Sequence, residues 1–364
     1  MHSMLKASIA ALATTAVLTG GALADGHGEK LSGDLKIFLD TSNPAPRATM
    51  EDMIARFGEM HPDLNIETTI IDREAYKTQI RNFLTANSPD VATWYAANRM
   101  TPYVSAGLFE DVSDLWAEED IATNLAYTKG AMTIDGKQWG VPYTYYQWGV
   151  YYREDIFNEL GLEEPTTWEQ EKANCQAILD SGRKCYTIGS KFLWTAGGWF
   201  DYLNMRTNGF DFHMELARGE VPWTDDRVRA TFANWRELID MGAIIEGLEL
   251  AENAPTDTFH IPANAENKDN ARAFLRFVVS ADNQTLINNG ENLGQLPVNA
   301  SSSVDNDEFL NQGFEMLSSN SPGGVAQFFD RDFPAEMAAE AMQGLQEFMV
   351  FPDNLDDILT RLES

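Results

Sequence analysis

The chain has 364 residues, and its 26 Lys and Arg stand against 56 Asp and Glu for a formal net charge of −30. That length holds one large domain or two of ordinary size; with 44% hydrophobic and 11% aromatic residues it can bury a substantial core, which excludes disorder as the main reading. A surface this negative repels phosphate backbones and anionic headgroups, so nucleic acid and lipid are poor partners, whereas a neutral or cationic ligand or a basic docking surface is compatible with it.

Met1–Lys6 carries one basic side chain, Ala7–Leu18 is apolar, and Ala22-Leu23-Ala24 closes the stretch with small residues before Asp25 and Gly26. This is the three-part layout of a secretory signal peptide, too short to span a bilayer stably. Cleavage after Ala24 and release into the periplasm are expected, with an uncleaved anchor as the alternative. No Cys sits at the cleavage point, so no lipid anchor is expected. Removing 24 of the 364 residues leaves 340. No later run is long and apolar enough for a transmembrane helix.

Leu35–Leu39 reads as a buried strand, and Met50, Met53, Ile54 and Phe57 repeat at helical spacing. Leu64, Ile66, Thr68 and Ile70 alternate as a second strand; Tyr76, Ile80, Phe83 and Leu84 mark the next helix, and Val91–Tyr95 a third strand. Strands alternating with helices imply a mostly parallel sheet covered on both faces, so the first lobe is α/β. Tyr151 and Tyr152 read as continuing a strand with at least one ring in a core. Further on, Thr167 with Gln170 forms a capping box before a helix holding Cys175, Ile178 and Leu179, and Cys185–Ile188 reads as a strand. Asp225 caps a helix whose inward stripe is Val228, Phe232, Trp235 and Ile239. From about Asn267 helices dominate, so the second lobe is expected to be mixed and more helical. In an oxidising compartment Cys175 and Cys185, the only cysteines, read as a local disulfide stapling helix to strand, with two buried free thiols as the alternative.

Catalytic signatures are absent: no P-loop, no dinucleotide glycine fingerprint, no nucleophile elbow and no His-Glu-x-x-His. The histidines have no metal-ligand spacing, so no metal and no cofactor are expected. What stands out is aromatic density: Trp139, Tyr143, Tyr145, Tyr146, Trp148, Tyr151 and Tyr152 lie close together. Aromatic rings with polar edges suit carbohydrate, whose C–H face stacks on the ring while its hydroxyls bond carboxylates, amides and phenols. Trp94 and Tyr95 end a strand, and ligands of open α/β sheets bind at the carboxyl ends of strands.

His61-Pro62-Asp63, Pro89-Asp90-Val91, Gly107-Leu108-Phe109-Glu110-Asp111, Gly140-Val141-Pro142-Tyr143, Tyr152-Arg153-Glu154-Asp155-Ile156-Phe157, Pro165-Thr166-Thr167-Trp168 and Gly294-Gln295-Leu296-Pro297 follow one another in an order that resembles the family 1 extracellular solute-binding proteins, the maltose-binding-protein-like sugar receptors of bacterial ABC importers. The resemblance implies an α/β, two-lobed periplasmic-binding-protein-like fold of type II, closing on a sugar in the cleft. It also implies a monomer whose closed form docks on a membrane permease, with no catalysis. By position it implies Thr41, Ser42, Asn43, Trp94 and Tyr95 in the first lobe, and Tyr145, Tyr146 and Trp148 at the first crossing. Trp199, Asp201, Asp330 and Arg331 would come from the second lobe, and Asp257 from the returning segment. The lobes would be 25–144 with a returning segment at about 249–262, and 145–248 with 263–364.

One departure stands against this pattern. Ile244–Leu248 runs almost at once into Ala254–Phe259, which resembles the strand returning to the second lobe, so a strand–helix–strand unit of about 30 residues or more is missing. Its loss is expected to remove a strand and part of the ligand-facing wall. The leading reading is a receptor for a neutral mono- or oligosaccharide. A polyamine receptor, a secreted glycoside hydrolase and a truncated relative with weakened or lost binding stand as alternatives.

Overall fold

Parallel strands cannot be joined by a tight turn, and the alternation of two-residue and 3.6-residue apolar periods supplies the crossover helices they require. A computed structural model of the chain describes residues 30–41, 43–145, 150–189, 193–245, 257–288, 293, 295–304, 308–319 and 327–364. The signal segment with its Ala24 site, Ser42, Tyr146, Trp148 and most of the junction after Ile245 lie outside these residues.

Strand β1 (Gly33–Leu39) leads through helix α1 (Pro44–Met60) to β2 (Leu64–Ile70), and on through α2 (Arg73–Ala86) to β3 (Val91–Tyr95). β1 pairs in parallel with β2, Ile37 opposite Thr68, and with β3, Ile37 opposite Val91. Asp72 starts α2 by accepting from the Glu74 and Ala75 N–H groups, which would otherwise be orphaned in the first turn. β4 (Val141–Pro142) follows directly after Gly140. A Cβ at Gly140 would stand 2.4 Å from the Phe259 carbonyl oxygen, so only glycine lets the two backbones meet.

The next stretch builds a second body: α3 (Trp168–Asp180), β5 (Tyr186–Thr187), α4 (Trp194–Asn208), α5 (Phe210–Ala217), α6 (Asp226–Asp240) and β6 (Ile244–Ile245). β5 and β6 form a two-stranded parallel pair. A disulfide joins Cys175 of α3 to Cys185 at the start of β5, with Cα atoms 5.4 Å apart. Thr167 accepts from the Gln170 N–H, while Gln170 reaches back to Thr166.

β7 (Asp257–His260) lies in the first sheet, the lobe to which the resemblance assigns the returning segment at about 249–262, and not in the second lobe, where the likeness of Ala254–Phe259 to a returning strand places it. It runs antiparallel between β3 and β4, with Tyr95 opposite Asp257 and Val141 opposite Phe259, and completes the order β2-β1-β3-β7-β4.

A second correction concerns everything after residue 262. α7 (Lys268–Val279) buries Ala271, Phe274, Leu275 and Val278 in the first core, and Leu296, Val298 and Leu310 join them. The cause is aromatic packing: the Phe274 ring stands 5.2 Å from Phe57 and 5.7 Å from Phe259. Only from about Phe328 onward does the chain rejoin the second core. There the helical turn α8 (Phe329–Asp332) and helices α9 (Ala335–Val350) and α10 (Leu355–Glu363) pack with Phe200, Phe232, Trp235 and Phe348. Tyr151 and Tyr152 also depart from expectation. They lie outside any strand and are exposed, and Tyr152 rests on Phe157 at 4.2 Å instead of entering a core. Among the described residues no helix is long and apolar enough to cross a membrane.

Candidate functional site

The carboxyl ends of β1 and β3 and the amino end of antiparallel β7 share one edge of the first sheet, where open α/β sheets place their ligands. Asp40 follows β1; its N–H donates to Thr93 Oγ1 at 3.0 Å, which turns its carboxylate toward the Tyr95 hydroxyl at 3.4 Å and Arg73 Nε at 3.8 Å. Arg73, the first residue of α2, also reaches Asp257 at 3.5 Å. Asp257, opposite Tyr95 in the ladder, accepts from the Tyr143 hydroxyl at 3.4 Å and from the Arg331 guanidinium at 3.1 Å. Arg331 comes from α8 of the second body, and its guanidinium lies 4.2 Å from the centre of the Tyr95 ring.

Asp40, Tyr95, Asp257 and Arg331 are all 2–3% exposed. Burying charge is tolerable only when it is paired and hydrogen-bonded, and here two carboxylates face two guanidiniums. Burial, and then the Asp40 charge, push the Tyr95 hydroxyl well above its ordinary value, so it remains a donor. The result is a balanced set of acceptors, forked donors and phenols on an aromatic wall. Carboxylates, guanidiniums and phenols are the kinds of group that bond hydroxyls. Among the described residues no group of three His, Cys, Asp or Glu is placed to hold a metal.

α8 is itself fixed by buried carboxylates. The Phe329 N–H donates to Asp201 Oδ2 at 2.6 Å, and the Gln327 N–H to Asp332 Oδ2 at 2.7 Å. Burial raises both acids, with Asp332 adding to the shift on Asp201, and Asp332 is pushed up to about 7. His213 Nε2 lies 3.7 Å from Asp201 Oδ1, and burial lowers its imidazole to about 4.

The implied ligand residues therefore separate. Tyr95, Asp257 and Arg331 come together, and Asp330 stands beside them, 4.0 Å from Arg99. Thr41 is buried at the same strand end with its hydroxyl unpartnered, while Asn43 is exposed at the start of α1. Trp94 is a core residue: its indole N–H is committed to the Arg99 carbonyl at 3.0 Å. Tyr145 is buried and exchanges both backbone bonds with Leu296 at 2.8 Å. Trp199 packs edge-on against Tyr186 inside the second body. Asp201 is buried and holds the Phe329 N–H. Sequence reasoning missed Asp40 and Arg73, and singled out Tyr143 as a member of the aromatic cluster without placing it in the site. For the first two the available signal was position alone: Asp40 closes the first strand and Arg73 follows the Asp72 cap.

Residues 41–285 match the family description of bacterial extracellular solute-binding proteins. The chain belongs to that family. Its relatives include the YcjN protein of Escherichia coli (strain K12), named as an ABC transporter periplasmic-binding protein, at 28% identity over 196 residues, 51% of this chain and 44% of that protein. The alpha-glucosides-binding periplasmic protein AglE of Rhizobium meliloti (strain 1021) is 26% identical over 217 residues, 54% of this chain and 47% of AglE. The chain thus spans about half the length of these curated relatives. The solved structure of the bacterial solute receptor AcbH, described as having an exclusive preference for β-D-galactopyranose, shares the fold. Its TM-score is 0.82 at 22% identity, covering 91% of this chain and 98% of that one. The solute-binding family comprises binding proteins rather than enzymes, and the two-lobed α/β fold is common to it and to this chain.

Proposed function

We propose that the chain is the substrate-binding component of an ABC importer, taking a neutral mono- or oligosaccharide at Asp40, Arg73, Tyr95, Tyr143, Asp257 and Arg331. One observation carries the reading: a charge-balanced, buried set of carboxylate, guanidinium and phenol groups stands at the strand ends of one lobe and receives Arg331 from the other. Such a set matches vicinal hydroxyls and carries no net charge to reward an ion. The names of AglE and AcbH support a sugar as the substrate class. Export by residues 1–24 to the periplasm, docking on a permease and a monomeric state belong to the same reading. So does a division into a first lobe of about 31–145 with 257–314, and a second lobe of the remainder.

Calorimetry against galactose, maltose, raffinose and a wider sugar panel tests this. A saturable response that Asp257→Ala weakens at least about tenfold, the loss of one charged hydrogen-bond partner, is expected. Silence toward every sugar, with clear responses to amino acids or polyamines, would overturn it. The two-stranded β5–β6 pair favours a second reading, a receptor whose second lobe has lost a strand–helix–strand unit. It predicts a folded protein that responds to none of the panel.

A further inference from the structure

The helical turn α8 reaches from one body to the other through Asp330, Arg331 and Asp332. Arg331 pairs with Asp257 at 3.1 Å and covers Tyr95. The Asn98 side chain donates to the Asp332 carbonyl, and Arg99 faces Asp330 at 4.0 Å. Both partners of the central pair are almost completely buried, so the guanidinium has exchanged its water for an aromatic face and a carboxylate.

On its own side the turn is rigid. Phe329 stacks on Phe333 at 4.1 Å and lies so close to α4 that a Cβ at Gly197 would stand 2.8 Å from Phe329 Cβ. Asp201 and Asp332 hold the backbone N–H groups of Phe329 and Gln327. The receiving recess is equally built: Asp257 is fixed in the β3–β7 ladder and Tyr95 is its cross-strand neighbour.

We propose that Arg331 is an interlobe latch, a guanidinium peg on α8 that seats in the Asp257–Tyr95 recess and holds the two lobes together through the chain's own residues. Asp201 and Asp332 are positioning residues for that peg. This goes beyond ligand binding, because it assigns the closing energy to a contact within the protein. A sugar then binds by adding to, or competing with, a closure already in place.

Small-angle scattering of the whole mature chain, with no sugar added, tests the latch. Arg331→Ala is expected to stay folded by circular dichroism and to show a larger radius of gyration than wild type. Millimolar ethylguanidinium should shift its scattering back toward the wild-type curve by refilling the recess. Asp257→Asn should open to the same extent and ignore ethylguanidinium. An Arg331→Ala curve that superimposes on wild type overturns the proposal. If that variant fails to fold, Asp257→Asn decides by the same criterion, an unchanged curve counting against the latch. Because no sugar enters the experiment, its failure is separate from failure of the sugar-receptor reading.

Discussion

Among the described residues, the first body is held by a five-stranded sheet and the second by helices around Phe200, Phe232, Trp235 and Phe348, with a two-stranded pair and a disulfide beside them. They bring different devices to the site they share. In the first, Asp40, Tyr95 and Asp257 are aimed by strand ends, where the ladder sets each side chain's position. In the second, Arg331 rides on a four-residue helical turn that cannot hold itself and depends on the buried carboxylates of Asp201 and Asp332. A sheet supplies aim as a by-product of its stability; a short helix has to be given it by desolvated polar groups, at a cost in stability.

The contrast can be broken first at the sheet. Phe259 is fully buried in the strand joining β3 to β4, against Tyr143 and Phe274. Phe259→Ala should cost about 3–5 kcal/mol in denaturant unfolding and disturb both Asp257 and Tyr143. A loss below about 1 kcal/mol would mean that the sheet does not carry the first body.

Two buried groups, His260 in the first body and Asp332 in the second, should respond oppositely to pH. His260 of β7 is enclosed by Thr258 and the Trp139 carbonyl, and burial lowers its imidazole from 6.5 to about 4. The unfolded chain takes that proton first, so this contribution is complete above pH 6.5 and is lost as pH falls toward 4. Asp332 is raised from 3.8 to about 7. The folded chain keeps a proton that the unfolded chain gives up, so its contribution is complete below pH 3.8 and is lost as pH rises through 7. Asp332→Asn keeps an acceptor for the Gln327 N–H and removes the titration. Its unfolding free energy, measured in urea, should gain on wild type as pH rises from 3.8 to about 7, by a few kcal/mol at most at roughly 1.4 kcal/mol per pKa unit. A difference independent of pH would refute the assignment.

A smaller and more local effect is expected from the staple. Replacing Cys175 and Cys185 together by Ser should cost about 2–3 kcal/mol for a loop of this length. Hydrogen exchange should show the loosening in α3 and β5 and leave β1–β3 protected. Equal loosening of the first sheet would mean the two bodies are not separable in this way.

The first body's early elements were legible because periodicity is local: alternation at Leu64–Ile70 and the 3–4 spacing at Met50–Phe57 each predict one buried face. What periodicity does not carry is the partner. The stripe Ala271, Phe274, Leu275 and Val278 announces a buried helix, yet says nothing about whether it meets Phe259 or Trp235, and its assignment to the second lobe failed there. The site shows the same limit. Tyr95 was legible from its place at a strand end, and Asp257 and Arg331 from the family resemblance, but their pairing joins positions 74 residues apart. Asp40 and Arg73 look like an ordinary loop acid and an ordinary first-turn base. Trp94 misled because a strand end inside a fully buried sheet has no solvent face, and its indole is spent on Arg99.

The return of β7 carries a consequence for how the molecule comes into being. Thr258 meets the Trp94 carbonyl across a sequence separation of 164, so the first sheet cannot close until α3–α6 and the β5–β6 pair of the second body have been made. Pairings of that span pay a large loop-closure entropy before they give anything back, and chains that depend on them fold slowly. Until β7 arrives, β3 presents an unpaired edge beside Trp94 and Tyr95, so assembly of this protein is gated by its last strand rather than its first.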